Sequence, residues 1–322
     1  MITWWKPKTY WSRNRRQIPR RALFTVTMAK LRVIDGMLHL FDRVKRTCRL
    51  ILPSGRVSKV VREIHVELGH AGQRTTEVAV RQHFWWPKLH DDVVRNCANC
   101  NICAQTDSPT VAPKVLFQTV ATVGPNHRVG VDVIGPVPRS RMGNKYILVI
   151  VGYFTIWCEA FPMPIQEAPI ITSLFVNEWV ARFGKPIELH SEQGAAFESR
   201  LLEEVCRTLR IHETRTTPYH PQSNGLVERT NRTVMTILRA FIEQHQSNRW
   251  DEILPQCLLA HRAAVHLSTG YTPSLLTLGH GLRSPIKVLT SLASAECIGS
   301  PHYVKELGER LRVAYKIAAQ HQ

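Results

Sequence analysis

Three carboxylates stand at a spacing that could assemble a divalent-metal site. Asp132 interrupts the apolar run Val131-Asp132-Val133-Ile134. Glu192 lies in His190-Ser191-Glu192-Gln193-Gly194, and Glu228 opens a periodic segment in Asn224-Gly225-Leu226-Val227-Glu228-Arg229. Fifty-nine residues separate the first two acids and thirty-five the last two. An acid in an apolar strand is costly to bury unless it is paired or ligates a metal. A strand acid, an acid after a neighbouring strand and a helix acid can together hold two cations roughly 3.5–4 Å apart, the clamp used for in-line displacement at phosphorus. All-oxygen donors favour Mg²⁺ first and Mn²⁺ second. Taken singly, each acid reads equally well as a solvated carboxylate, and Glu228 as the i, i+4 partner of Arg232.

A second constellation joins His65 and His70, with four residues between them, to the Cys100-Asn101-Ile102-Cys103 pair. Two imidazoles and two thiolates make the usual tetrahedral shell of structural Zn²⁺. Cys97 and Cys100 form a rival pair, but Cys97 continues the apolar face of Val93 and Val94, which favours Cys100 and Cys103. His83 and His90 read as surface residues. The remaining cysteines are scattered, and the basic N-terminus has no apolar core or cleavage site of a secretory signal, so free thiols are expected rather than a disulfide framework. An intracellular or nuclear location is expected, not secretion.

The 322 residues carry a net charge of +17. That balance calls for a polyanionic partner, DNA or RNA. Residues 1–34 alone hold nine Lys or Arg and no acid. The longest apolar run, 147–154, is too short to span a bilayer and reads as a buried strand.

These chemistries need elements to position them. The Asp35-Gly36 turn signal predicts a β-hairpin over 31–53, after a basic arm at 1–30. Residues 54–104 read as a compact unit of three helices, and 105–126, with three X-Pro dipeptides, as a linker. Residues 127–285 read as strand, hairpin, helix, strand, helix, strand and two long helices, a mixed α/β sheet flanked by helices. A helical tail occupies 286–322. In the helix opened by Glu228, the residues Asn231, Arg232, Met235 and Arg239 share its face, while Val227, Val234, Leu238 and Phe241 lie on another. Two arginines behind an acid suit a metal beside a phosphate backbone, so Asn231, Arg232 and Arg239 are candidate DNA contacts, with Gln222 and Asn224 of the turn-rich loop ahead.

The longer motifs carry a resemblance. Leu68-Gly69-His70-Ala71-Gly72-Gln73-Arg74-Thr75, Phe84-Trp85-Trp86-Pro87, Asp132-Val133-Ile134-Gly135-Pro136 and Arg182-Phe183-Gly184-Lys185-Pro186 stand in order. Thr216-Thr217-Pro218-Tyr219-His220-Pro221-Gln222-Ser223-Asn224-Gly225, Glu228-Arg229-Thr230-Asn231-Arg232-Thr233 and Ser268-Thr269-Gly270-Tyr271-Thr272-Pro273 follow. Over about residues 31–320 the chain resembles the integrases of gypsy-type long-terminal-repeat retrotransposons, cousins of the retroviral integrases. The resemblance implies a zinc domain with ligands His65, His70, Cys100 and Cys103, then an RNase H-like core with a five-stranded mixed sheet and catalytic acids Asp132, Glu192 and Glu228. It also implies a homo-oligomeric polynucleotidyl transferase that trims transposon ends and joins them to target DNA.

Three departures bear on that expectation. Glu192 stands where the family has Asp. Gly152 and Ile156 stand where it has Asp and Lys. No counterpart of the family's C-terminal DNA-binding module precedes Gln322. The alternative expectation is therefore a catalytically impaired or co-opted remnant that still binds nucleic acid. A ribonuclease H is disfavoured by the zinc ligands and by the loop before Glu228.

Overall fold

The computed structural model describes residues 31–34, 36–42, 47–106, 122–216, 225–244 and 247–282, with four isolated positions between 309 and 317. The basic arm, Asp35, most of the linker, the loop 217–224 with Gln222 and Asn224, and nearly all of the tail lie outside the described residues. The chain divides into two units, residues 1–104 with 283–302 and residues 105–282 with 303–322.

In the first unit, β1 (Leu31–Ile34), β2 (Met37–Asp42) and β3 (Thr47–Ile51) form an antiparallel meander, so the expected hairpin gains a third strand. Four helices follow: α1 (Ser54–Glu67), α2 (Gln73–His83), α3 (Leu89–Ala98) and the short α4 (Asn101–Thr106). The fourth was not expected; the periodicity to its N-terminal side ends near Cys100, and six residues are too few to show a period of their own. Phe84 and Trp85 leave the helix for β4, which adds in parallel to β3. Val61, Val80 and Val93, one from each long helix, are wholly buried. His90 is exposed beside Glu77, whereas His83 is half-buried rather than on the surface.

The second unit is built on a five-stranded mixed sheet of β5 (Arg128–Ile134), β6 (Tyr146–Gly152), β7 (Cys158–Met163), β8 (Glu188–Ser191) and β9 (His212–Arg215). The spatial order is β7-β6-β5-β8-β9. The first three strands are antiparallel, and β8 and β9 run parallel to β5, which is the RNase H-like arrangement. In β6, Ile147, Leu148, Val149, Ile150 and Val151 are all wholly buried. A centre strand covered on both faces has no solvent side, which is why it reads as an unbroken apolar run.

Helices cover both faces. On one lie α5 (Ala168–Leu174), its π-helical continuation Phe175–Val180, α6 (Ala181–Phe183) and α7 (Arg200–Leu209). Ile171, Phe175, Trp179, Leu202 and Cys206 pack there on Val129, Val131, Leu148 and Ile150. The Ser199 hydroxyl caps α7 by accepting the Leu202 N–H at 3.3 Å. On the other face α8 (Gly225–Gln244) and α9 (Trp250–Ala263) bury Val227, Val234, Leu238, Trp250 and Leu254 against Ile147, Val149 and Val151. A short helix, α10 (Pro273–Leu278), is capped by Thr272. No helix of the described residues is long and apolar enough to cross a membrane.

Candidate active site and metal centre

The sheet register brings the first two acids together. Val131 of β5 pairs with Ser191 of the parallel β8, so Asp132, within β5, and Glu192, just past the end of β8, stand at neighbouring register positions on the same side. Glu228 reaches them from the first turn of α8. That helix sits close because β5 has a glycine under it. A β-carbon on Gly130 would lie 2.4 Å from Cγ2 of Val227 and 2.9 Å from Cε2 of Tyr153.

The Asp132 carboxylate is half-buried and held at both oxygens. Oδ1 accepts the Val133 N–H at 2.7 Å, and Oδ2 accepts from Nδ2 of Asn231 at 2.5 Å. Burial, and then the negative charges of Glu192 and Glu228, push its carboxyl up to about 7 against those hydrogen bonds. An acid this reluctant to ionise stands in a pocket of negative potential, which is what a bound cation relieves. The donor set is all oxygen and therefore fits Mg²⁺ or Mn²⁺. The acids are not drawn as close as the zinc-type ligands: among the described residues the set whose ligand atoms all lie within 4.8 Å is His65, His70, Cys100 and Cys103.

On α8, Arg232 and Arg239 are exposed on the side away from the buried Val227, Val234 and Leu238. Asn231 is half-buried and its side-chain amide donates to Asp132. Its step of three residues from Glu228 is the signal that could have identified it as an acid's partner. Ile156 has a left-handed backbone (φ 56°) although it is β-branched and buried, and its N–H closes a turn onto the Gly152 carbonyl at 2.9 Å. A β-carbon on Gly152 would press on the Thr155 hydroxyl at 3.1 Å. The two departures from the family pattern are thus the ends of one tight turn between β6 and β7.

Sequence reasoning also missed a buried polar chain beneath the β8 end. Glu188 pairs with Arg128 (3.4 Å) and accepts the Thr214 hydroxyl (2.6 Å), and the His190 ring joins Thr214 (2.9 Å) and Thr216 (3.2 Å). It ties the strand that delivers Glu192 to the strand that leads toward α8.

In the first unit, α1 supplies His65 and the turn after it His70, whose left-handed backbone (φ 59°) swings the ring back over the helix. Cys100 precedes α4 and Cys103 lies within it. Nε2 of His65 lies 3.1 Å from Sγ of Cys103, and Nδ1 of His70 lies 3.3 Å from Sγ of Cys100 and 3.8 Å from Sγ of Cys103. Tetrahedral Zn²⁺, with bonds of about 2.0–2.3 Å, needs ligand separations of roughly 3.3–3.8 Å. Cys97 faces the opposite ring nitrogen of His65, at 3.8 Å, and also lies against Thr76. Burial pushes the conjugate acid of His65 down and that of His70 down to about 4, the latter helped by His65. Both shifts favour the neutral ring, the form a metal ligand must take.

Residues 52–109 match the integrase zinc-binding domain family. The chain is 30% identical over 244 residues to the Pro-Pol polyprotein of simian foamy virus type 3, covering 74% of this chain and 20% of that protein. It is 28% identical over 257 residues to the retrovirus-related Pol polyprotein from transposon 412 of Drosophila melanogaster, covering 78% and 20%. It thus spans about a fifth of the length of these curated relatives. Among solved structures, the catalytic core domain of BIV integrase is similar at 27% identity and a TM-score of 0.39, covering 48% of this chain and 94% of that one.

Proposed function

This chain belongs to the retroviral-type integrases, and from that premise we propose that it binds DNA and carries out metal-dependent end processing and strand transfer, as a member of the gypsy-type branch. The observation that carries this reading is the adjacency of Asp132 on β5 and Glu192 just past the parallel β8, with Asn231 of the helix that bears Glu228 bonded to Asp132.

Asp132, Glu192 and Glu228 would hold Mg²⁺ or Mn²⁺, which when bound supplies activation of the attacking oxygen and neutralisation of charge at phosphorus. Asn231 fixes the rotation of the Asp132 carboxylate and leaves a lone pair on each oxygen for a cation. Gly130 lets α8 approach, so Glu228 is set by packing against β5 rather than by a loop. Arg232 and Arg239, exposed on the same helix, would take phosphates of the DNA backbone, with transposon ends and target DNA as substrates. His65, His70, Cys100 and Cys103 would hold structural Zn²⁺, which stabilises a unit of about fifty residues whose own core is small. Assembly into a homo-oligomer on DNA belongs to the same reading, as do the expected segment boundaries from the basic arm at 1–30 to the tail at 286–322.

Glu192 favours a second reading, an integrase fold that binds DNA with little catalysis. One extra methylene moves a carboxylate by about 1 Å, and misplacement on that scale can cost roughly 100-fold in rate. A strand-transfer assay in Mg²⁺ and in Mn²⁺ separates the two. Glu192→Asp should raise activity, Mn²⁺ should help the natural chain more than Mg²⁺, and Asp132→Asn or Glu228→Gln should abolish what activity there is. An inert Glu192→Asp chain that still binds DNA would give the second reading the better claim.

A further inference from the structure

We infer that Thr76 is the positioning residue of the His–His–Cys–Cys centre, holding His65 in the tautomer that presents Nε2 to the metal. The inference rests on the zinc reading above. Nε2 of His65 faces Cys103, so the metal-binding nitrogen is fixed by geometry. Nδ1 points the other way, to Oγ1 of Thr76 at 3.3 Å. The threonine is wholly buried on α2, and its hydroxyl donates to the Ala71 carbonyl at 2.9 Å.

A hydroxyl has one proton to give. With that proton on Ala71, Thr76 can only accept from His65. Nδ1 must therefore carry hydrogen, and Nε2 keeps its lone pair for the metal. The directions run in series from Nδ1–H of His65 to the Thr76 oxygen, and from the Thr76 hydroxyl to Ala71. Sγ of Cys97, 3.8 Å from the same nitrogen, is a weak acceptor at long range and cannot set the direction.

The same hydroxyl reaches the second histidine. Ala71 follows His70 directly, so the bond from Thr76 also grips the turn that carries that ligand. His70 presents Nδ1 rather than Nε2, and the two rings stand edge to face with centroids 4.9 Å apart and an interplanar angle of 84°. Two imidazoles binding through different nitrogens need separate orientation; the buried hydroxyl, together with the Ala71 carbonyl that also bonds the His65 ring, supplies it for the first ring directly and for the second through the backbone. Partners of this kind to metal-bound histidine typically govern affinity by about 10- to 100-fold.

The test uses the full chain. Thr76→Val keeps the shape and removes the hydroxyl; Thr76→Ser keeps the hydroxyl. Zinc affinity is measured by competition with a chromophoric chelator, and the His65 ring by ¹⁵N NMR of the zinc-loaded protein. The expected result is zinc binding weakened about 10- to 100-fold in Thr76→Val, largely restored in Thr76→Ser, with unchanged helix content at saturating zinc. The natural protein should show His65 protonated at Nδ1 and metal-bound at Nε2. Equal affinity of Thr76→Val and the natural chain overturns the inference, as does a serine variant as weak as the valine one. Should the valine variant fail to fold, the ring spectrum of the natural protein decides, and ligation through Nδ1 of His65 overturns it. A natural chain that takes up no zinc at all removes the zinc reading itself, a different result from zinc bound without dependence on Thr76.

Discussion

Val227 occupies the space that a side chain on Gly130 would fill, with its Cγ2 only 2.4 Å from where that β-carbon would stand. Both residues lie next to the carboxylate site, Gly130 two positions before Asp132 and Val227 one before Glu228. Gly130→Ala should therefore lift α8 off the sheet and destabilise the fold by about 1–3 kcal/mol, the usual cost of overpacking. Chemical denaturation measures this. The double variant Gly130→Ala, Val227→Ala should recover part of the loss; strict additivity of the two single changes would mean that the contact is not what seats the helix.

Asn231, expected as a DNA contact, donates to the Asp132 carboxylate. Asn231→Leu, close in size but without a donor, should lower strand transfer about tenfold or more, since a hydrogen bond to a charged group contributes about 1.5–3 kcal/mol. DNA affinity and its salt dependence should stay unchanged. A fall in DNA binding with activity per bound complex preserved would return Asn231 to the phosphate backbone.

Arg232 and Arg239 carry the opposite expectation. Each replacement by Ala should reduce the slope of log affinity against log salt by about 0.9 on duplex DNA if that arginine neutralises one phosphate. Binding isotherms across a salt series are the measurement, and an unchanged slope for both variants would place the DNA elsewhere.

Removing zinc with a strong chelator should unfold α1 to α4 and leave the sheet unit folded. Structural zinc contributes about 10–16 kcal/mol of apparent folding energy in small zinc-finger peptides. Cys100→Ser and Cys103→Ser should mimic chelation, whereas Cys97→Ser should retain one Zn²⁺ per chain by metal analysis. Loss of zinc from Cys97→Ser would favour the rival pair.

His261 gives the sheet unit a defined acid sensitivity. It is buried, Nε2 contacts the Ile156 carbonyl at 3.1 Å, and burial, with Arg262 and His266 nearby, pushes its pKa down to about 4. Between that value and about 6.5 the unfolded chain binds more protons than the folded one. The contribution is therefore fully present above pH 6.5 and lost as pH falls toward 4, amounting to about 3 kcal/mol. His261→Gln should show a smaller drop in denaturation midpoint between pH 7 and pH 5 than the natural chain; parallel curves would refute the assignment.

What the sequence by itself determined is the identity and order of the chemistry: which residues could bind metal, where the periodicity changes, and which family the motifs resemble. Those signals are local. Alternation and apolar runs follow from which face of a strand or helix is wet. The tertiary structure decided what depends on contacts between distant segments. Only the parallel register of β5 and β8 sets Asp132 beside Glu192, and only the packing of α8 over Gly130 brings Asn231 to Asp132. Thr76, silent in the sequence, became informative once Ala71 was seen to take its proton, because the direction of a hydrogen bond is a property of three atoms in space and not of residue type or spacing.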